Sequence, residues 1–574
     1  MRGNYAIAIG VRKSGQLPAL DGAIADAHAF AEWANTRKEP YLTSIITDEE
    51  AADPVTVDRL KAEINSILED DIDRLLIFYS GHGISAQAGD YWLLSNYSRD
   101  GDEAVNVSQS MRNARRLGIG QVAIFSDACR SSLNTAAYVG GRVIFPVPAG
   151  PRTLSRYDEF LSTDIGDAAQ EIAGNDPAKS YGVFSRCLLT ALHGLEPDAI
   201  ESRAPRKVIT SITLANWLER TVPLQSGKIP GAAVQYPSIT TGWRAPDDEY
   251  AEFTTVQESS VNLKEAGTGG RKLLDWVSRQ EDMGLVERRA LRNAALAKIA
   301  ESQAAREKVV DERAGAFLAA RDRELVASGH SLTIVGAKII EVVAPDGQEV
   351  ELFEHEGLWH VHGSVVPQSI ALRTANELWI PATLLPYFNG TLVIGDGGVE
   401  SLNYAPPRDS FERELSHRSE ETVARWNALL SVGRAVQTAE LTDFGDEARG
   451  FKHVNPAFGI LAAYAYEHAG RIDEVASVAW YFLNRNGFVP FDVWALLGAY
   501  GDPVQLTAAH GYVAERLGVA GALPLVTRGW SLIDPDQGWS ELAKLRGGLK
   551  DSVWTTFDAA TGAEFAQMIA ERRI

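Results

Sequence analysis

Short apolar runs alternate with helical patterns along the first 245 residues. The apolar runs predict five strands, at Tyr5–Val11, Ser44–Thr47, Leu75–Ser80, Gln121–Asp127 and Arg142–Val147. Apolar residues at helical spacing predict helices over Gly22–Thr36, Thr56–Asp70, Val107–Leu117, Val183–His193 and Ser211–Arg220. This alternation is typical of βαβ units, so the sequence predicts an α/β fold, a three-layer α/β/α sandwich with a mostly parallel sheet. Functional groups in such a sheet lie at the carboxyl ends of the strands.

The pattern changes repeatedly after residues 1–245, which predicts four further segments. Residues 246–270 mix acidic residues with Ser, Thr and Gly, as linkers do. Residues 271–329 are highly charged with a helical period, and residues 330–406 alternate like the strands of a small β domain. Residues 407–574 are dominated by helical patterns rich in Ala, Leu and Trp. We expect this last segment to be a helical domain with a regulatory or interaction role.

Composition narrows the range of partners. The 574 residues carry a formal net charge of -21, which disfavours nucleic acid because like charges repel, whereas peptides with basic residues suit such a surface. The chain has 2 cysteines, too few for a disulfide framework, so we expect a reducing compartment, the cytoplasm. No apolar run approaches the ~20 residues that a membrane-spanning helix needs, so no membrane association is expected. Tyr5–Val11 is interpreted as a buried strand and not as a signal peptide.

Two strand ends carry candidate catalytic side chains. The strand predicted at Leu75–Ser80 runs directly into Gly81-His82-Gly83, where glycine permits a sharp turn and a close backbone approach. The strand predicted at Gln121–Asp127 is followed closely by Cys129. One helical crossover separates the two strands, so their ends can be neighbours. An imidazole beside a thiol can activate it as a nucleophile and then protonate the leaving amine. The backbone N–H groups of Gly83 and Cys129 would stabilise the oxyanion of the tetrahedral intermediate.

Several motifs resemble one family of peptidases. They are Tyr79-Ser-Gly-His-Gly83, Gly89-Asp-Tyr-Trp92, Asp127-Ala-Cys-Arg130, the segment Tyr181–Gly194, and Gln235-Tyr-Pro-Ser238. Together they resemble the caspase/metacaspase clan of cysteine peptidases, most closely bacterial metacaspase-like proteins, the orthocaspases. The resemblance covers roughly residues 4–245 and implies a caspase-like fold with His82 and Cys129 as the catalytic dyad.

The same resemblance implies a substrate preference. Metacaspases carry one acidic residue on the first helix and another two residues before the catalytic cysteine, and Asp26 and Asp127 stand at those positions. Two carboxylates in one pocket would pair with a guanidinium or an ammonium group, so cleavage after Arg or Lys is expected. The Cys and Asn of the family's helix motif are replaced by Ala23 and Ala25, which changes the wall of that pocket.

Other residues invite weaker interpretations. Cys187 lies on an apolar helix face and is interpreted as a core residue. His355, His360 and His362 lack a further firm ligand, so no metal site is predicted; no cofactor is required, and calcium dependence, known among metacaspases, is left open.

Three arginines, Arg142, Arg152 and Arg156, lie between the two halves of the peptidase-like segment. They are either processing sites, cut by this enzyme or by an upstream protease, or solvated loop residues.

Two functions follow. The first is a cysteine endopeptidase that cleaves after Arg or Lys, controlled by its C-terminal half, by proteolytic activation, or by an activating or inhibitory protein. By analogy it would act in bacterial antiphage defence or regulated cell death. The alternative is a scaffold or interaction protein with a degenerate caspase-like domain that turns over no substrate. The presence of both His82 and Cys129 favours the first.

Overall fold

The structure is a computed structural model of the 574-residue chain. Its description covers residues 3–37, 39–50, 52–86, 89–97, 101–130, 141–147, 154–164, 167–172, 180–203, 206–241, 248–254, 285–321, 330–363, 367–407, 411–431, 444, 455–469, 471–500, 519–533 and 539–574. The chain divides into two compact units, Met1–Ser85 with Asp90–Ala305, and Ala86–Gly89 with Arg306–Ile574.

The described residues up to 321 contain both strands and helices, and the alternation predicted for the first 245 residues is interrupted where several strands follow one another. The strands are β1 Gly3–Gly10, β2 Leu42–Thr47, β3 Ile72–Gly81, β4 Gly83–Ala86, β5 Gly89–Leu93, β6 Ala104–Asn106, β7 Gln121–Ala128, β8 Arg156–Leu161, β9 Glu171–Ile172, β10 Tyr181–Gly182, β11 Glu201–Arg203, β12 Arg206–Thr210, β13 Ser238–Thr240 and β14 Glu249–Thr254. The helices are α1 Gly22–Asn35, α2 Val57–Ile67, α3 Val107–Ala114, α4 Val183–Leu192, α5 Ser211–Gly227 and α6 Leu285–Arg321.

A six-stranded sheet forms the centre of the first unit, in the order β13-β8-β7-β3-β1-β2. Neighbours from β8 to β2 run parallel, and only the edge strand β13 pairs antiparallel. Alternate side chains point to opposite faces of each strand. The predicted mixed α/β class with a mostly parallel sheet is therefore confirmed.

Each face of this sheet is covered by helices. On one face, Phe78 and Phe125 pack with Phe30 of α1 and with residues of α4 and α5. On the other face, Ile77 and Ile124 pack with residues of α2 and α3. Because both faces are covered, the central strands are apolar almost throughout, and their functional groups emerge only where the strands end.

One predicted strand is wrong. Arg142–Val147 forms no strand, and Arg142 makes a single bridge to Val105. Pro146 lacks the backbone N–H that a central strand needs. The strand beside β7 is instead Arg156–Leu161, whose sequence is polar and lacks the apolar run by which the other strands are predicted.

The predicted linker 246–270 also needs correction, because β14 lies inside it and pairs with β12. The first unit thus extends past residue 245. Residues 255–270 lie outside the described residues, and the boundaries at residues 271, 330 and 407 stay predictions.

The second unit combines β strands and helices. Its strands are β15 Ser331–Val335, β16 Ile339–Val343, β17 Val350–His355, β18 Leu358–Gly363, β19 Gln368–Thr374, β20 Trp379–Leu384, β21 Asn389–Gly395, β22 Gly398–Ala405, β23 Val489–Pro490 and β24 Val519–Ala520. Its helices after α6 are α7 Phe411–Ser431, α8 Pro456–His468, α9 Ile472–Asn486, α10 Phe491–Tyr500, α11 Ser540–Lys544 and α12 Ala559–Ala570. Strands β15 to β22 form one five-stranded and one three-stranded sheet. The turn Pro345–Gly347 lies between β16 and β17, and these two strands belong to different sheets.

Across the part of the chain that the structure describes, no helix combines the length and the apolar character needed to cross a bilayer.

Candidate active site

His82 and Cys129 follow neighbouring parallel strands. Strands β3 and β7 pair in register up to Gly81 and Ala128, and the next residues are the two candidates. The backbones approach closely here, since a Cβ placed on Gly83 would lie 2.7 Å from the carbonyl oxygen of Cys129. The sequence predicted this meeting of strand ends, and the structure brings the two residues together.

The imidazole of His82 is held by a backbone carbonyl. Its Nε2 lies 2.7 Å from the oxygen of Pro18, and a carbonyl can only accept, so Nε2 carries the hydrogen. Nδ1 is then the nitrogen with the lone pair. Burial lowers the pKa of His82, and the bond to Pro18 only partly opposes that effect. The Tyr79 hydroxyl donates to the carbonyl oxygen of His82 at 2.8 Å, which fixes the backbone of the turn.

The thiol of Cys129 is half-buried and is bonded to a nearby amide. Burial raises its pKa, while the N–H of Ala169, 3.3 Å from Sγ, lowers it. Burial therefore favours the neutral form of both side chains, the thiol of Cys129 and the imidazole of His82. The other cysteine, Cys187, is 1% exposed in the core, where burial raises its pKa to about 12.

Asp26 and Asp127 both bind the amino end of α4. Asp26 accepts from the N–H of Gly182 at 2.9 Å, and Asp127 accepts from the N–H and hydroxyl of Ser185 at 3.0 and 2.7 Å. Each is 5% exposed. A Cβ on Gly182 would collide with the Asp127 carboxylate, so only glycine lets the two acids meet there. The structure thus places the two carboxylates next to each other at the amino end of α4, and their role in binding a basic substrate residue stays a prediction.

The pKa values of both Asp26 and Asp127 are raised above their ordinary range. Burial raises the pKa of Asp26 well above its ordinary value, and the carboxylate of Asp127 raises it further. Burial also raises the pKa of Asp127, although its bonds from Ser185 oppose this. Arg186 is the cation that lowers the pKa of Asp26, and its guanidinium stacks over the Tyr181 ring at 3.9 Å.

Sequence reasoning missed a third carboxylate at this location. Glu171 is half-buried and accepts from the N–H of Gly22, the first residue of α1, at 3.2 Å. Its charge contributes to the raised pKa of Asp26, and Asp127 in turn helps to raise the pKa of Glu171, after burial as the main cause. Glu171 is two residues from Ala169, the donor to Cys129 Sγ. No motif marks it, because its role depends on where the segment 167–172 lies in the fold.

Arg130 was also missed, although it follows Cys129 directly. Its guanidinium binds both carboxylate oxygens of Asp90, at 3.0 and 2.9 Å, and donates to the carbonyl of Thr163 at 3.1 Å. Its backbone N–H donates to the carbonyl of Asp167. Arg130 therefore ties strand β5 and the segment after β8 to the residue beside Cys129. The signal was present in the Gly89–Trp92 and Asp127–Arg130 motifs, but sequence does not show that their charged residues pair.

Two of the candidate processing sites, Arg142 and Arg156, lie in the described part of the chain, and both form ion pairs there. Arg142 pairs with Asp58, and its backbone bonds to Ala104 and Asn106. Arg156 begins strand β8 and pairs with Asp248 at 3.0 Å. Arg152 lies outside the described residues. Processing at any of the three stays a prediction.

Among the described residues, no group of three His, Cys, Asp or Glu side chains is arranged to hold a metal ion. His360 is buried, and its Nδ1 lies 3.2 Å from the hydroxyl of Thr333.

No protein-family model matches this chain, and no curated protein matches it. Among solved structures it is similar to crystalline caspase-1 from Spodoptera frugiperda, at 16% identity and a TM-score of 0.29, over 42% of this chain and 88% of that one. It is also similar to pro-Sf-caspase-1, at 13% identity and a TM-score of 0.27, over 42% of this chain and 91% of that one. A likeness at this level carries no argument about activity.

Proposed function

We propose that this protein is a cysteine endopeptidase that cleaves after Arg or Lys. The observation that supports it most is the placement of His82 and Cys129 at adjacent ends of parallel strands, with Nε2 of the histidine donating to Pro18. Nδ1 is the nitrogen that accepts the thiol proton. The sulfur attacks the peptide carbonyl, the same proton passes to the leaving amine, and water then hydrolyses the thioester.

The tetrahedral intermediate needs donors for its oxyanion. In this proposal the N–H groups of Gly83 and Cys129 supply them, since the two backbones adjoin at the strand ends. Removing one such donor costs roughly 3 kcal/mol of transition-state stabilisation in other hydrolases.

The preference for basic residues rests on Asp26, Asp127 and Glu171. These three carboxylates lie close together: Asp127 and Glu171 both raise the pKa of Asp26, and Asp127 raises that of Glu171, so the location favours an additional positive charge. A guanidinium or ammonium group of the substrate would supply it. An aspartate side chain would be repelled, so cleavage after Asp is not expected.

Purified wild type should release a fluorophore from a peptide ending in Arg, and Cys129→Ala should abolish that release. Cys187→Ala is the matched control, because it removes the other, core thiol and should retain the activity. Equal turnover by wild type and Cys129→Ala would refute the assignment.

Control and context are further parts of this proposal. The chain would work in the cytoplasm, without an obligatory cofactor, under control of its C-terminal half, of a protein partner or of cleavage near Arg152, in bacterial defence or regulated cell death. Sequencing the amino termini of fragments formed with and without calcium tests self-processing and calcium dependence together. Fragments that begin after residues other than Arg or Lys would contradict the proposed specificity.

A further inference from the structure

Gln235 is a fully buried amide, 0% exposed, that joins two separate parts of the first unit. Its Oε1 accepts from the backbone N–H of Gln170 at 3.0 Å, and its Nε2 donates to the carbonyl of Ser162 at 2.8 Å. Its own N–H donates to the hydroxyl of Ser226 on α5 at 2.9 Å. One side chain thus spans both ends of the segment 162–170.

Both ends of that segment contact the nucleophile's strand end. Ser162 accepts from the N–H of Ala128 and donates to the carbonyl of the same residue, at 3.1 and 3.0 Å. At the other end, Ala169 donates its N–H to Sγ of Cys129. Gln235 is therefore bonded to Ser162, which contacts Ala128, and to Gln170, the neighbour of the Ala169 that contacts Cys129.

The backbone that carries Gln235 is itself fixed by α6. The Lys298 ammonium donates to the carbonyl of Ala232, and the Tyr236 hydroxyl donates to the carbonyl of Ile299 at 3.3 Å. Gly227 packs on Ala295 so closely that a Cβ there would lie 3.2 Å from the alanine Cβ. Because these contacts fix the backbone near Gln235, its side chain can hold the residues to which it bonds in place.

We infer that Gln235 is a positioning residue, which holds the N–H of Ala169 on the sulfur of Cys129. The inference rests on the proposed function and specifies how this active site is set. An N–H bond to sulfur favours the thiolate, so it lowers the energy of the form that attacks. Without Gln235 the segment 167–170 loses its inner anchor, and the thiol becomes harder to ionise.

The test measures the thiol directly, without a substrate. The rate of alkylation of Cys129 by iodoacetamide is followed from pH 6 to 10 by peptide mass spectrometry, which separates it from Cys187. Gln235→Ala should shift this profile to higher pH and slow alkylation at pH 7.5 by about tenfold, the effect of one pKa unit. Gln235→Glu keeps an acceptor for Gln170 but loses the donor to Ser162, so a smaller shift in the same direction is expected.

Asn113→Ala is the matched control, since Asn113 is a buried amide of α3 that donates to the carbonyl of Phe145 at 3.1 Å. It should leave the alkylation profile of Cys129 unchanged. Profiles of folded Gln235→Ala or Gln235→Glu that superimpose on wild type would overturn the inference. If wild type cleaves Arg peptides under that outcome, only the role of Gln235 fails; if wild type cleaves none and His82→Ala leaves alkylation unchanged, the proposed peptidase itself fails.

Discussion

The Nε2 atom of His82 lies 2.7 Å from the carbonyl oxygen of Pro18, and this contact determines which imidazole nitrogen can take a proton. The ring is fixed with its hydrogen on Nε2, so Nδ1 is the nitrogen that carries the lone pair and can accept a proton. Burial holds the pKa of His82 below its ordinary value of about 6.5. The imidazole of His82 is therefore neutral near pH 7.

A pH dependence follows from that lowered pKa. Below it the imidazole is protonated and cannot accept, so kcat/KM should fall as the pH drops through a midpoint under 6.5. The profile is measured with an Arg-terminated peptide from pH 4 to 8. An acid limb centred above 6.5 would mean that His82 is not the buried neutral base described here.

The carboxylates of Asp26 and Asp127 should act mainly on substrate affinity. Asp26→Asn should raise KM for an Arg peptide by roughly tenfold or more, while kcat changes less, since the proposed specificity rests on attraction between this carboxylate and the guanidinium of the substrate. In wild type, KM should increase as the pH falls through the raised pKa of Asp26, because a protonated acid no longer attracts a guanidinium. Asp58→Asn, at an exposed residue paired with Arg142, is the charge-matched control. Equal effects of the two substitutions on KM would contradict the assignment.

The buried ion pair between Arg130 and Asp90 should contribute both to stability and to catalysis. Asp90→Asn leaves the guanidinium without its charged partner, at a cost of about 3–5 kcal/mol of unfolding free energy for a pair of this burial. Turnover should fall as well, since Arg130 adjoins Cys129. The double variant Asp90→Asn, Arg130→Met should recover part of the stability, as measured by chemical denaturation. Strictly additive losses would show that the two residues do not act together.

Gly83 allows the two strand ends to approach. A Cβ there would press on the carbonyl of Cys129, so Gly83→Ala should displace the dyad and lower kcat by roughly a hundredfold. Gly315→Ala is the control, because a Cβ at Gly315 of α6 meets nothing within 4 Å. It should leave kcat unchanged and stabilise the helix by up to about 1 kcal/mol. Wild-type kcat in a folded Gly83→Ala variant would argue against the close approach as a catalytic requirement.

The sequence predicts the position of the dyad because apolar runs bracket it. The apolar runs Leu75–Tyr79 of β3 and Val122–Phe125 of β7 end a few residues before His82 and Cys129, and the parallel pairing of the two strands places their ends together. Strand β8 escaped notice because its inward residue Asp158 is a buried acid, satisfied by the amide of Gln121 and the hydroxyl of Ser211. A polar residue in a core position is not recognisable as a core residue from the sequence until its hydrogen-bond partners are known.

The missed site residues share one property. Glu171, Arg130 and Gln235 each act through a contact with a residue far away in the chain. Local pattern carries no record of such pairings, whereas the residues after a strand end are marked by the strand itself. The sequence therefore indicates which strand ends adjoin, and the contacts that hold the residues there are found only in the structure.

The most direct measurement is covalent labelling with an electrophilic ketone that carries an arginine side chain, read by mass spectrometry of the intact protein and its peptides. The account predicts one adduct, on Cys129, whose formation is lost in His82→Ala and slowed in Asp26→Asn, while the matching aspartate ketone labels far more slowly. No adduct on Cys129 after calcium addition or cleavage near Arg152, or equal labelling by the two ketones, would contradict a peptidase that cleaves after basic residues.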